Sequence, residues 1–146
     1  MAEVTLTPVE QYENSEKVLW ELLLERDGKA NINVSNKVTP SFERHVEFVR
    51  SHPYHVWYIV SNGDEALGSV YLTKPPKHSS HGDEIGIFIF RQHHGKGYGK
   101  AAINKLMSLH PRDRYCANIN PNNHISIKLF EGLGFNICQY TLEKVK

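Results

Sequence analysis

Glu84-Ile85-Gly86-Ile87-Phe88-Ile89-Phe90-Arg91-Gln92-His93-His94-Gly95-Lys96-Gly97-Tyr98-Gly99-Lys100 is the stretch on which the reading of this chain turns. Ile85, Ile87 and Ile89 alternate with Gly86 and Phe88, the period of a strand. Glycine at every second position from Gly95 to Gly99 permits positive φ and removes Cβ atoms, so successive backbone N–H groups can converge on an anion. An apolar helix follows through Ala101, Ile103, Leu106 and Met107. Its first turn brings unsatisfied N–H groups and the positive end of a dipole to the same place. Strand, glycine turn and helix together predict a phosphate or pyrophosphate cradle, with Lys96, Lys100 and Arg91 adding charge.

Spacing excludes two common cradles. A P-loop needs Gly five positions before Gly99, where this chain has His94, and Ala101 replaces the Ser or Thr that would hold magnesium. A dinucleotide fingerprint needs Gly three positions after Gly97, where Lys100 stands.

Working outward, Val4 to Leu6 reads as a first strand ended by Pro8. An apolar stripe of Val18, Leu19, Leu22 and Leu23 predicts a helix from about Ser15 to Arg26. Asn31 to Val38 reads as irregular. Thr39-Pro40 with Glu43 predicts the start of a second helix, closed by Pro53. His55 to Val60 and Ala66 to Leu72 form a hairpin around Ser61-Asn62-Gly63-Asp64, and Lys74 to Ser80 is a loop. After the central helix, Tyr115 to Ile119 reads as a strand. Asn120-Pro121-Asn122-Asn123 is a turn and helix cap, and Ile125 to Phe130 is a helix stopped by Gly132 and Gly134. Phe135 to Val145 reads as a last strand. The order β-α-α-β-β-β-α-β-α-β implies one α/β (α+β) domain over residues 1–146, a mixed and mostly antiparallel sheet flanked by helices.

The 146 residues carry 17 Lys plus Arg against 16 Asp plus Glu, a formal charge of +1. No polybasic block is present, so neither nucleic acid nor an anionic membrane is an expected partner. No apolar run reaches the ~18–20 residues of a bilayer span. Cys116 and Cys138 form no metal or disulfide spacing. The histidine pairs 52/55, 78/81 and 93/94 lack a third ligand, so no metal is expected. A cytoplasmic protein is the expectation.

An acidic residue opening a strand, followed by a basic or amide-rich link and G-x-G-x-G-K opening a helix, resembles motif A of the GNAT superfamily of N-acetyltransferases. Asn120 to Ser126, ending in Leu129-Phe130-Glu131-Gly132-Leu133-Gly134-Phe135, resembles motif B of the same superfamily. The resemblance implies a sheet whose splayed strands form an acetyl-CoA cleft, and direct transfer of acetyl from acetyl-CoA to an amine. It implies that the amides of His94, Gly95, Lys96, Gly97, Tyr98, Gly99 and Lys100 hold the pyrophosphate. It further implies that the backbone of Ile87, Phe88 and Ile89 pairs with the pantetheine arm, and that Asn123 contacts that arm. Glu84 is the candidate base. Phe130 stands where many members carry the Tyr that protonates the leaving thiolate; Ser126 is the first substitute and Tyr98 the second. The acceptor implied is a small-molecule amine such as an amino-sugar nucleotide. The alternatives are ribosomal-protein N-termini, or a non-catalytic acyl-CoA-binding sensor. Only one strand follows Gly134-Phe135, so part of the acceptor wall is expected to be missing or supplied by a neighbouring subunit in a homodimer.

Overall fold

The computed structural model describes residues 2–28, 39–75, 77 and 81–146. The expected irregular stretch 31–38 and most of the 74–80 loop lie outside these residues. The elements are β1 (Thr5–Pro8), α1 (Ser15–Asp27), α2 (Phe42–Arg50), β2 (Val56–Asn62), β3 (Glu65–Thr73), β4 (Asp83–Ile89), α3 (Tyr98–Leu109), β5 (Tyr115–Cys116) and α4 (His124–Gly132). Short 3-10 turns at Val9–Gln11 and Arg91–His93 follow β1 and β4. One five-stranded sheet runs in the order β1-β2-β3-β4-β5, antiparallel throughout except for the parallel β4–β5 pair.

Strand alternation sorts the core onto the two faces of this sheet. On one face Val60, Val70, Leu72, Ile85 and Ile89 bury against Ala102, Ile103 and Leu106 of α3 and Phe130 of α4. On the other, Ile59 packs with Leu19 and Leu22 of α1 and Val49 of α2, flanked by Trp57 and Phe88. The register shift beside Val60 and Ser61 accommodates the extra β3 residue, Leu67, which is fully buried. Leu106 has no exposed surface. Leu106→Ala is therefore expected to lower the unfolding free energy by about 2–5 kcal/mol, read from urea titrations.

Three expectations differ in detail. The second helix starts at Phe42, with Ser41 accepting a bond from the Arg44 N–H at 3.3 Å. Thr39 does not cap it, because its hydroxyl is turned to Asp27 at 2.7 Å. The strand expected over 115–119 pairs only at Tyr115 and Cys116. The strand expected from Phe135 to Val145 does not form. Phe135 packs edge-to-face on Phe130 at 5.0 Å, but Ile137, Tyr140, Leu142 and Val145 are 71–93% exposed and the segment pairs with no strand.

The candidate acetyl-transfer site

The site begins where β5 leaves β4. The two strands pair only at Asp83–Tyr115 and Glu84–Cys116, a junction pinned from outside. Arg112 Nε bonds Asp83 at 2.9 Å, its backbone N–H bonds the Tyr115 hydroxyl at 3.0 Å, and that hydroxyl bonds the His110 carbonyl at 2.6 Å. Beyond Glu84 the β4 edge is open.

The ladder alternation decides which backbone groups face that edge. Phe90 N–H bonds the Leu67 carbonyl, so Phe88, Gly86 and Glu84 direct their groups into β3. Ile85, Ile87 and Ile89 direct theirs outward. Of the three residues expected to pair with the pantetheine arm, Ile87 thus presents its N–H and carbonyl to the open edge and Ile89 only its N–H, its carbonyl being bonded by His94 Nε2. Phe88 is committed to Ser69 and its side chain to the α1/α2 core.

At the far end of β4 lies the glycine turn. Gly95 and Gly97 have φ of 78° and 83°, a left-handed conformation that side chains rarely adopt. Gly97 is the N-cap of α3, without a side-chain cap bond, and the helical ladder resumes with Ala101 N–H to the Gly97 carbonyl. Amides from Gly95 to Lys100 therefore stand at a helix N-terminus, on an exposed turn between Lys96 and Lys100.

His94 differs from the expectation that its amide joins them. That N–H is committed to the Arg91 carbonyl at 3.1 Å, and the ring Nε2 bonds the Ile89 carbonyl at 2.7 Å. The residue braces the turn against the end of β4. Two further ties hold the turn: His93 to Glu65 at 3.2 Å, and Arg91 N–H to the Glu25 carboxylate at 2.8 Å.

Glu84 sits at the other end of the open edge, five residues or about 17 Å from Ile89. Its carboxylate accepts a hydrogen bond from Asn118, just past β5. Its charge is felt by Tyr54, Tyr71 and Cys116, all of whose pKa values are raised, chiefly by burial. Sequence reasoning offers Tyr71 only as one of five strand aromatics (Trp57, Tyr58, Tyr71, Phe88 and Phe90), one or two of which line the acceptor cleft, and singles out neither Asn118 nor Tyr54. No spacing rule marks them, since their approach to Glu84 depends on the β4–β5 junction and on packing under α1 and α2.

The two substitute acids are separated by the fold. Ser126 lies half-buried in the first turn of α4, where its N–H is capped by Asn123 Oδ1 at 3.2 Å. Leu129, one turn on, packs beside Gly99, which joins α4 to the cradle helix. Tyr98 instead takes a bond from Asn62 at 3.2 Å, at the hairpin end of the sheet. That end is opposite to Glu84, so its hydroxyl is remote from the reacting end of the edge. Phe130 is 4% exposed in the core. Asn123→Ala removes the α4 cap, and thermal unfolding is expected to register a loss of about 1 kcal/mol.

A cavity of about 790 Å³ opens between the start of α1, the end of α2 and β2. It touches Tyr54 and Trp57 but reaches neither Glu84 nor the glycine turn. A second, of about 880 Å³, lies beside Gly97 and Lys100 under the N-terminal segment. The open β4 edge, rather than either cavity, carries outward backbone groups along its length, with the Glu84 carboxylate at one end and the glycine turn at the other. Among the described residues no group of three or more His, Cys, Asp or Glu is arranged to hold a metal ion, and no helix is long and apolar enough to cross a membrane.

The open β4 edge thus runs from a left-handed glycine turn at the start of α3 to the Glu84 carboxylate. The family model described as Acetyltransferase (GNAT) domain matches residues 12–136. The chain belongs to this family and is an acetyl-CoA-dependent N-acetyltransferase. Among solved structures it is similar to a domain from Methanocaldococcus jannaschii (TM-score 0.76, 22% identity, 98% of this chain and 94% of that one). It is similar to the spermidine N-acetyltransferase of Vibrio cholerae in complex with CoA and spermine (TM-score 0.76, 19% identity, 97% and 86%). It is also similar to the N-acetyltransferase PseH of Campylobacter jejuni in complex with acetyl coenzyme A (TM-score 0.64, 17% identity, 94% and 92%). No curated protein sequence matches the chain.

Proposed function

We propose that the enzyme acetylates a primary amine of a small molecule, such as an amino-sugar nucleotide, by direct attack on the thioester of acetyl-CoA. The observation that carries this reading is the position of Glu84, a carboxylate at the point where β4 loses its partner strand. The pyrophosphate would lie on the amides of Gly95, Lys96, Gly97, Tyr98, Gly99 and Lys100. The pantetheine arm would run along Ile87 and Ile89 as one further strand, with Asn123 beside it. This direction of travel brings the thioester to the Glu84 end. Glu84, oriented by Asn118, takes a proton from the incoming ammonium. The freed nitrogen forms the C–N bond as the C–S bond breaks; Ser126 gives its proton to the leaving thiolate and takes back the second proton that the nitrogen sheds in becoming an amide. The similarity to enzymes named for spermidine, or solved with spermine, supports a small-molecule acceptor over a protein N-terminus. The reading also includes a single domain over 1–146, a cytoplasmic enzyme and no metal. It further includes a homodimer in which a neighbouring subunit supplies part of the acceptor wall.

Thiol release is the test. Purified protein with acetyl-CoA and a panel of amino sugars, polyamines and N-terminal peptides should release thiol only when an accepted small amine is present, with the amide seen by mass spectrometry. Acetyl-CoA binding without acceptor-dependent release would favour the sensor. Release with peptides alone would favour the N-terminal acetyltransferase.

A further inference from the structure

Glu84, Gly86 and Phe88 share the face of β4 turned toward α1 and α2, and Tyr71 lies opposite Gly86 in the β3–β4 ladder. A Cβ on Gly86 would fall within the Tyr71 ring, against Cζ, Cε2 and the hydroxyl. The ring therefore lies across β4 and carries its hydroxyl onto the strand whose other edge is open. Tyr54 stacks on the same ring at 3.8 Å and 3°. Tyr54 is itself held edge-on by Trp57 at 4.8 Å and Phe48 at 6.0 Å. So packed, Tyr71 cannot swing away.

Burial above all, with Tyr54 and Glu84 adding to it, holds the Tyr71 hydroxyl far above the ordinary tyrosine range. It is a neutral hydroxyl lying over Gly86, able to accept a hydrogen bond through its oxygen.

We propose that Tyr71 positions the acceptor amine: its hydroxyl oxygen accepts a hydrogen bond from the attacking nitrogen, while another of the ammonium's protons goes to Glu84, two residues along the same face of β4. Tyr71 gains and loses no proton; it sets the angle at which the nitrogen lone pair meets the thioester. This rests on the reading of Glu84 and a primary amine given above. It adds a residue that neither motif contains, which selects for the amine rather than for the cofactor.

Tyr71→Phe keeps the ring stack and removes only the oxygen. In steady-state kinetics with an amine accepted by the wild type, it should raise the amine KM by about 10–30-fold. The acetyl-CoA KM, the melting temperature and amine-independent hydrolysis should all stay near wild type. Gly86→Ala, which displaces the ring, should reproduce the amine defect. An unchanged amine KM in Tyr71→Phe overturns the proposal, as does an equal loss in acetyl-CoA KM and thermal stability. Glu84→Gln run in parallel separates the two readings. Sensitivity to Tyr71 alone removes Glu84 as base and keeps the positioning role, whereas sensitivity to Glu84 alone does the reverse. A wild type that acetylates no amine overturns both.

Discussion

Gly97→Asp should abolish saturable binding of coenzyme A in calorimetry, weakening it by at least about 100-fold, or roughly 2.7 kcal/mol. Two effects act at this position. The φ of 83° places any Cβ-bearing residue in a strained conformation, worth about 1–2 kcal/mol. The carboxylate would also stand at the N-cap of α3, among the amides expected to receive pyrophosphate, and would both satisfy those donors and repel the ligand. Gly97→Ala separates the terms, since it carries the strain without the charge and should lose only about tenfold. Neither variant should unfold the protein, because the nearest atom to a new Cβ is the Ala2 side chain at 3.6 Å. Aspartate at this cap binding coenzyme A normally would remove the cradle from this turn.

Glu84→Gln carries the second large effect. Loss of a general base typically costs about 10²–10⁴ in turnover. Glutamine preserves the size of the side chain and a hydrogen-bonding partner for Asn118. Acetyl-CoA affinity should therefore stay within about threefold while kcat falls by about 100-fold or more. The deficit should also depend on pH in a fixed direction. As pH rises toward the acceptor's own pKa, more amine arrives already deprotonated and needs no base. The variant rate should then climb by up to about tenfold per pH unit, and the gap to wild type should narrow. A deficit that is constant across pH would assign Glu84 a positioning role instead.

The parts of this fold that the sequence made legible are those encoded locally. Ile85, Ile87 and Ile89 announced β4 by alternation, and the glycines from 95 to 99 announced the turn because positive φ leaves little choice of residue. Asn123 announced the start of α4 because its side-chain oxygen can reach an N–H three residues on. What stayed hidden depends on partners distant in the chain. Cys138, Tyr140 and Leu142 alternate like a strand, yet a strand needs a neighbour, and this segment has none here. Thr39-Pro40 reads as a helix start until the Asp27 carboxylate claims the threonine hydroxyl.

The site divides in the same way. Glu84 and the turn came from motif spacing. The commitment of the His94 amide to Arg91, the burial of Phe88 groups in β3, and the placing of Tyr98 on Asn62 all follow from three-dimensional pairing. Tyr71 is the sharpest case. Only the contact with Gly86, 15 residues later in the chain by their numbers, shows where its hydroxyl lies.

A crystal structure of the protein with coenzyme A bound tests the central claim most directly. Pyrophosphate should lie on the amides from Gly95 to Lys100, the pantetheine arm should hydrogen-bond the Ile87 backbone, and the sulfur should reach the Glu84 end of β4 beside Tyr71. Coenzyme A seated instead in the cavity bordered by Tyr12, Trp57 and Tyr58, with the β4 edge unpaired, would contradict it.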